Sequence, residues 1–98
     1  MEKVVRVDWT DEGKLALRLV YDFYAERSEL AAEIVVNDII DAADSIVFGK
    51  QYQIDDINPK YRRIVVRDYK VLYIESDGIV NIMGVVSTKQ SPEILEGK

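Results

Sequence analysis

Six cations cluster in the second half of this chain: Lys60, Arg62, Arg63, Arg67, Lys70 and Lys89. They fall on or beside three apolar, β-branched runs within KYRRIVVRDYKVLYIESDGIVNIMGVVSTKQ. Positive side chains gathered on a small sheet can neutralise a phosphate or meet an acidic partner. Lys89 and Gln90 leave the last run together, as a polar pair at a strand end. Tyr69 and Tyr73 share a strand face with Val71; aromatics so placed can stack bases, although packing with a wet hydroxyl is their commoner use. The plainer reading of the arginines is that they keep an exposed strand face soluble and free of unwanted pairing.

What is missing narrows the chemistry further. The chain has neither histidine nor cysteine. Serine–histidine and cysteine–histidine nucleophile systems are thereby excluded, as are disulfides and histidine or thiolate zinc sites. Any acid–base step falls to carboxylates, lysine or tyrosine with shifted pKa values. Asp55 and Asp56 invite comparison with a calcium loop, but they lack its ligand spacing and glycine. No metal and no cofactor is expected.

The net charge is −5 over 98 residues, unevenly divided. Residues 1–59 carry 6 basic and 13 acidic side chains, a net of −7, whereas residues 60–98 carry 7 and 5, a net of +2. An acidic protein with one basic district disfavours indiscriminate nucleic-acid binding but permits a local anion site. No apolar run approaches the length of a membrane span. The opening MEKVVRVDWT enters alternating structure at once, with no signal-like segment, so a cytoplasmic protein is expected.

The elements that must position these cations can be read in order. Val5, Val7 and Trp9 alternate with Arg6 and Asp8, the pattern of a half-buried strand. Thr10 is placed to cap a helix over 11–26 carrying Leu15, Leu19, Val20, Phe23 and Tyr24 at helical spacing. Ser28 caps a second helix, whose stripe of Ala31, Ile34, Val35, Ile39, Ala42, Ala43 and Ile46 runs to about residue 47, with Gly49 as its stop. About two residues separate the helices, so they should form an antiparallel hairpin. A loop over 50–59 follows, then strands near 61–67, 69–75 and 79–87. Asp68 stands at the first turn and Ser76-Asp77-Gly78 at the second. Gly84 suggests a bulge or a close backbone approach. Strand alternation would put Arg63 and Arg67 on one face and Arg62 on the other. The tail turns at Ser91-Pro92 and offers an apolar anchor at Ile94-Leu95. The reading is one α+β domain over residues 1–98, of order β-α-α-β-β-β. Its helical hairpin packs on a four-stranded, mainly antiparallel sheet.

Several phrases, in this order, resemble the RelE/ParE superfamily of bacterial toxins. They are Val7-Asp8-Trp9-Thr10, Tyr21-Asp22-Phe23-Tyr24-Ala25, Tyr61-Arg62-Arg63-Ile64-Val65-Val66 and Asp68-Tyr69-Lys70-Val71-Leu72-Tyr73. Ser87-Thr88-Lys89-Gln90-Ser91-Pro92-Glu93 is similar to the family's closing motif, with lysine in place of arginine. The resemblance implies the toxin half of a type II toxin–antitoxin module. It also implies a cognate antitoxin that lays a helix, and sometimes a strand, over the toxin. RelE-like members cleave messenger RNA at the ribosome; ParE-like members inhibit DNA gyrase. For the nuclease branch the resemblance puts catalytic cations at Arg67 and Lys89 and a terminal acid–base residue at the position of Leu95. Leucine cannot serve there, which leaves Tyr73 or a carboxylate as the candidate acid–base group. Lysine for arginine also loses the planar fork that grips two phosphate oxygens. The expectation is therefore a ParE-like toxin acting by protein binding, not an enzyme. A RelE-like ribonuclease, or a non-toxic binding module of the same fold, is the alternative.

Overall fold

The computed structural model describes residues 3–89. Its elements run β1 (Arg6–Trp9), α1 (Asp11–Ala25), α2 (Glu29–Asp44), β2 (Arg62–Val66), β3 (Tyr69–Ser76) and β4 (Ile79–Ser87). The sheet order is β1-β4-β3-β2. β2, β3 and β4 form an antiparallel meander, and β1 joins β4 in parallel. α1 lies across β4, and α2 packs against α1 and β2. Val20, Val35, Ile39, Ala43 and Ile46 from the helical layer meet Ile64, Val71, Tyr73, Val80, Ile82 and Val85 from the sheet.

Both helices start where a hydroxyl can cap them. The Thr10 hydroxyl oxygen accepts from the Gly13 N–H at 3.0 Å, and its own hydrogen goes to the Ile82 carbonyl at 2.6 Å. One side chain thus caps α1 and ties it to β4. Ser28 accepts from the Ala31 N–H at 3.1 Å. The second helix stops at Asp44, short of the expected residue 47. Ser45 bonds back to the Ala42 carbonyl, and the Gln51 carboxamide takes the N–H groups of Val47 and Phe48. These bonds turn the chain out of the helix before Gly49. The glycine has another use: a Cβ there would lie 2.5 Å from Cγ of Glu75.

The turns follow their sequences. Asp77 and Gly78 both have positive φ, 54° and 81°, as a two-residue hairpin with Asp-Gly requires. In the β2–β3 turn Arg67 itself has φ of 54°. It lies beyond the end of β2, so it does not share a strand face with Arg63 as alternation had implied. A bulge falls beside Gly84: Leu72 pairs with Gly84 and Tyr73 with Ile82, which leaves Met83 as the extra residue. No close backbone approach accompanies it.

The expected buried stripe of α1 is only half formed. Val20 is buried and Tyr24 half-buried, but Leu15, Leu19 and Phe23 are 60%, 60% and 64% exposed. They occupy the flank of α1 that faces neither the sheet nor α2.

Gly13 sets how closely α1 approaches β4, because a Cβ there would collide with the Ile82 carbonyl oxygen. Gly13→Ala should therefore lower stability by about 1–3 kcal/mol through overpacking, although alanine favours helix by about 1 kcal/mol. Urea unfolding of the two proteins measures the difference.

Candidate functional site

The predicted cations do not form one basic face. Most are engaged by separate partners. Lys70 and Arg63, on the sheet face away from the helices, meet Asp55, which is 1% exposed. The Lys70 ammonium donates to Asp55 Oδ1 at 2.7 Å, and Arg63 Nη1 stands 3.7 Å from the same oxygen. The N–H groups of Ile57 and Asn58 donate to Asp55 Oδ2, which closes a tight turn. Burial pulls the Asp55 carboxyl upward, but the Lys70 hydrogen bond, the Asn58 N–H, the Lys70 charge and the Ile57 N–H together hold it below its ordinary 3.8. Arg63 further binds the Ile54 carbonyl and Gln53. Loop 50–61 is thereby strapped across the outer face of the sheet.

Arg67, Lys89 and Tyr73 do not converge. Arg67 Nε donates to Asp38 of α2 at 2.7 Å. Lys89 pairs with Asp68 at 3.4 Å. Tyr73 is fully buried on the core side and donates its hydroxyl to the Gly49 carbonyl. Burial foremost raises its pKa, so the phenol stays neutral and gives up its proton reluctantly. Lys60 and Arg62 lie near the start of β2, with Arg62 donating to the Tyr52 carbonyl at 2.8 Å. Gln90 and Leu95 lie outside the described residues.

A different feature stands out on the helical hairpin over 11–47, whose apolar stripe in sequence fits either a partner surface or full burial on the sheet. A groove of about 510 Å³ opens between α1 and the far ends of β3 and β4. Val20, Tyr24, Tyr69 and Val85 line it beside Leu19 and Phe23, with Asp68, Ser87 and Lys89 as its polar part. Phe23 and Tyr24 meet edge to face, centroids 5.2 Å apart. Burial first, then the hydrogen bond and charge of Tyr24 and the charge of Asp68, push the Tyr69 phenol up to about 12. It stays neutral and offers an aromatic surface.

The groove runs beside an open sheet edge. β1 pairs with β4 only from Ile79 to Ile82. Beyond that point, among the described residues, β4 has a strand neighbour on one side alone. The Thr88 N–H donates to the Asp68 carbonyl, toward β3. Antiparallel alternation then turns the main-chain groups of Val85 and Ser87 outward, away from β3. These two residues also line the groove. On the other flank of α1 a second, largely apolar hollow of about 490 Å³ is walled by Trp9, Leu17, Tyr21, Val36 and Ile40.

No protein-family model matches the chain, and no curated protein matches it in sequence. Among solved structures, a chain of the chromosomal ParDE TA system from P. aeruginosa is similar, with a TM-score of 0.70 at 15% identity. The alignment covers 84% of this chain and 94% of that one. The likeness is one of fold, and the α+β arrangement is the one implied by the RelE/ParE resemblance.

Three outcomes follow from these placements. Asp55→Ala should cost about 3–5 kcal/mol, because it leaves the Lys70 ammonium in a nearly dry site without its partner. The folded pKa of Asp55 lies below its unfolded value, so its stabilisation is present above pH 3.8 and disappears as pH falls through the folded value. Asp55→Asn should flatten that acid limb in urea titrations at stepped pH. Arg67→Gly should leave stability unchanged or raised by up to about 1 kcal/mol, since relief of positive φ offsets a half-exposed ion pair. Thermal unfolding reports the sign.

Proposed function

We propose that this chain is the toxin component of a type II toxin–antitoxin pair, ParE-like in acting through protein binding, and that its antitoxin occupies the groove beside α1. The observation that carries this reading is that exposed Leu19 and Phe23 line one groove with Val85 and Ser87, on the part of β4 that β1 does not pair. An extended antitoxin segment can bond to the outward main-chain groups of Val85 and Ser87. An adjoining amphipathic helix can bury Leu19 and Phe23. Strand addition and helix-in-groove docking are the two common modes of peptide recognition by a sheet edge and a helical flank. The solved ParDE structure of like fold supports a partner of this kind. The cellular target in this reading is a cytoplasmic protein such as DNA gyrase.

Protein binding is favoured over RNA cleavage because the candidate nuclease cations are paired with carboxylates and Tyr73 is buried. Tyr73 lies about 13 Å along β3 from Tyr69, which lines the groove. A net charge of −5 also opposes ribosomal RNA at long range.

Two tests bear on the reading. Induction of the chain in bacteria should arrest growth, and co-expression of the neighbouring gene should relieve it. Harmless induction, with no binding to that gene's product, would sink the proposal. Leu19→Glu and Phe23→Glu should each weaken capture of that product about thirtyfold or more, as loss of a buried apolar anchor does. Both side chains are exposed, so unfolding midpoints should barely move. In the same assay Arg67→Ala should retain growth arrest. Loss of arrest together with loss of new messenger ends would instead favour the ribonuclease.

A further inference from the structure

We propose that a cleft at the other end of the sheet binds a phosphate group. The cleft, of about 210 Å³, lies between the segment after α2 and the starts of β2 and β3's second half. Lys50, Lys60 and Arg62 line it together with Gly49, Tyr73 and Glu75. Its β3 residues stand about 13–20 Å along the strand from Tyr69 of the partner groove, so the two sites are separate.

Charge placement singles this cleft out. Arg63, Arg67, Lys70 and Lys89 each have a carboxylate within ion-pair distance. Lys50, Lys60 and Arg62 have none among the described residues. Three cations reach the cleft from two segments, the 49–50 turn and the 60–62 stretch that opens β2, and one acid accompanies them. That acid is already engaged: Glu75 Oε2 accepts the Gly78 N–H at 2.8 Å, and its side chain packs against Gly49. The bond from Arg62 Nη1 to the Tyr52 carbonyl holds the guanidinium in place and leaves its other donors for a ligand. A guanidinium fork flanked by two exposed ammonium groups, that of Lys60 standing 5.3 Å from the centroid of the Tyr61 ring, suits the oxygens of a phosphate better than the single plane of a carboxylate. Because the whole protein carries −5, attraction is confined to short range, and binding should weaken steeply with salt.

The phosphate can belong to a small molecule or to a nucleic-acid backbone, and one titration separates these. Amide shifts of the isotopically labelled full chain are followed with inorganic phosphate, adenosine monophosphate and a short single-stranded RNA. Saturable shifts at Gly49, Lys50 and Arg62 are expected. RNA binding far tighter than the mononucleotide assigns the backbone as ligand; equal affinities assign an isolated phosphate. The Lys50→Ala/Lys60→Ala protein should bind about tenfold or more weakly, and Glu75→Gln about threefold more tightly, as removal of charge-assisted contacts and of a like charge dictates. The lysines are exposed, so circular dichroism should show an unchanged fold. No saturation with any of the three probes overturns the proposal. So does equal affinity in the double variant. Neither result bears on the partner groove, whose assay reads Leu19 and Phe23.

Discussion

A single buried carboxylate decides which surface of this sheet is left for function. Asp55 accepts from a lysine and two backbone N–H groups, and an arginine stands within ion-pair distance. Without it, the stretch from 50 to 61 would be a long connection with little to hold it, and such connections are uncommon in compact domains. With it, the loop lies across the outer face, pairs Ile54 with Arg62, and sits where Leu72 is buried outside the main core. Lys70 and Arg63 become structural ions. A buried pair of this kind is weak evidence for net stability but strong evidence for placement, since breaking either half strands a charge.

The second constraint is the shortness of β1. Thr10 leaves the strand at the level of Ile82 because its hydroxyl and its N–H both bond to the Ile82 carbonyl. That junction starts α1 and ends the pairing of β4 on that side. Among the described residues the rest of β4 therefore keeps an open edge, and α1 begins close enough to overhang it. An open, apolar-flanked edge is a liability in a lone protein. Its coincidence with Leu15, Leu19 and Phe23 makes a single surface suited to an extended chain and a helix together.

Most of the fold was legible because local signals agreed with each other. The caps at Thr10 and Ser28, the Asp77-Gly78 turn and the alternation of β3 and β4 each specify one conformation. The helix end at Asp44 was misplaced because Gly49 looked like a stop, whereas Ser45 and Gln51 end the helix through bonds to groups several residues away. The site was less legible for a physical reason. Periodicity reports which residues are apolar, not whether the layer beneath is wide enough to bury them. The signal was present: Leu15, Leu17, Leu19, Val20, Phe23 and Tyr24 span more of α1 than the single stripe a sheet can cover. The basic district misled in the opposite way. Sequence shows cations but not their partners, and Asp38, Asp55 and Asp68 lie as far as 29 residues from the ions they meet.

Net charge and local charge then play different parts. A contiguous apolar flank on α1 would promote self-association in a neutral protein. The −5 charge, drawn largely from the first 59 residues, opposes this through mutual repulsion. The same field would reject anions everywhere unless cations were brought together by the fold, and Lys50 is brought beside Lys60 and Arg62 across the 50–61 loop. An acidic body is thus compatible with both surfaces. It would keep the apolar one soluble until a partner covers it, and it would leave anions only short-range attraction at the cleft proposed above.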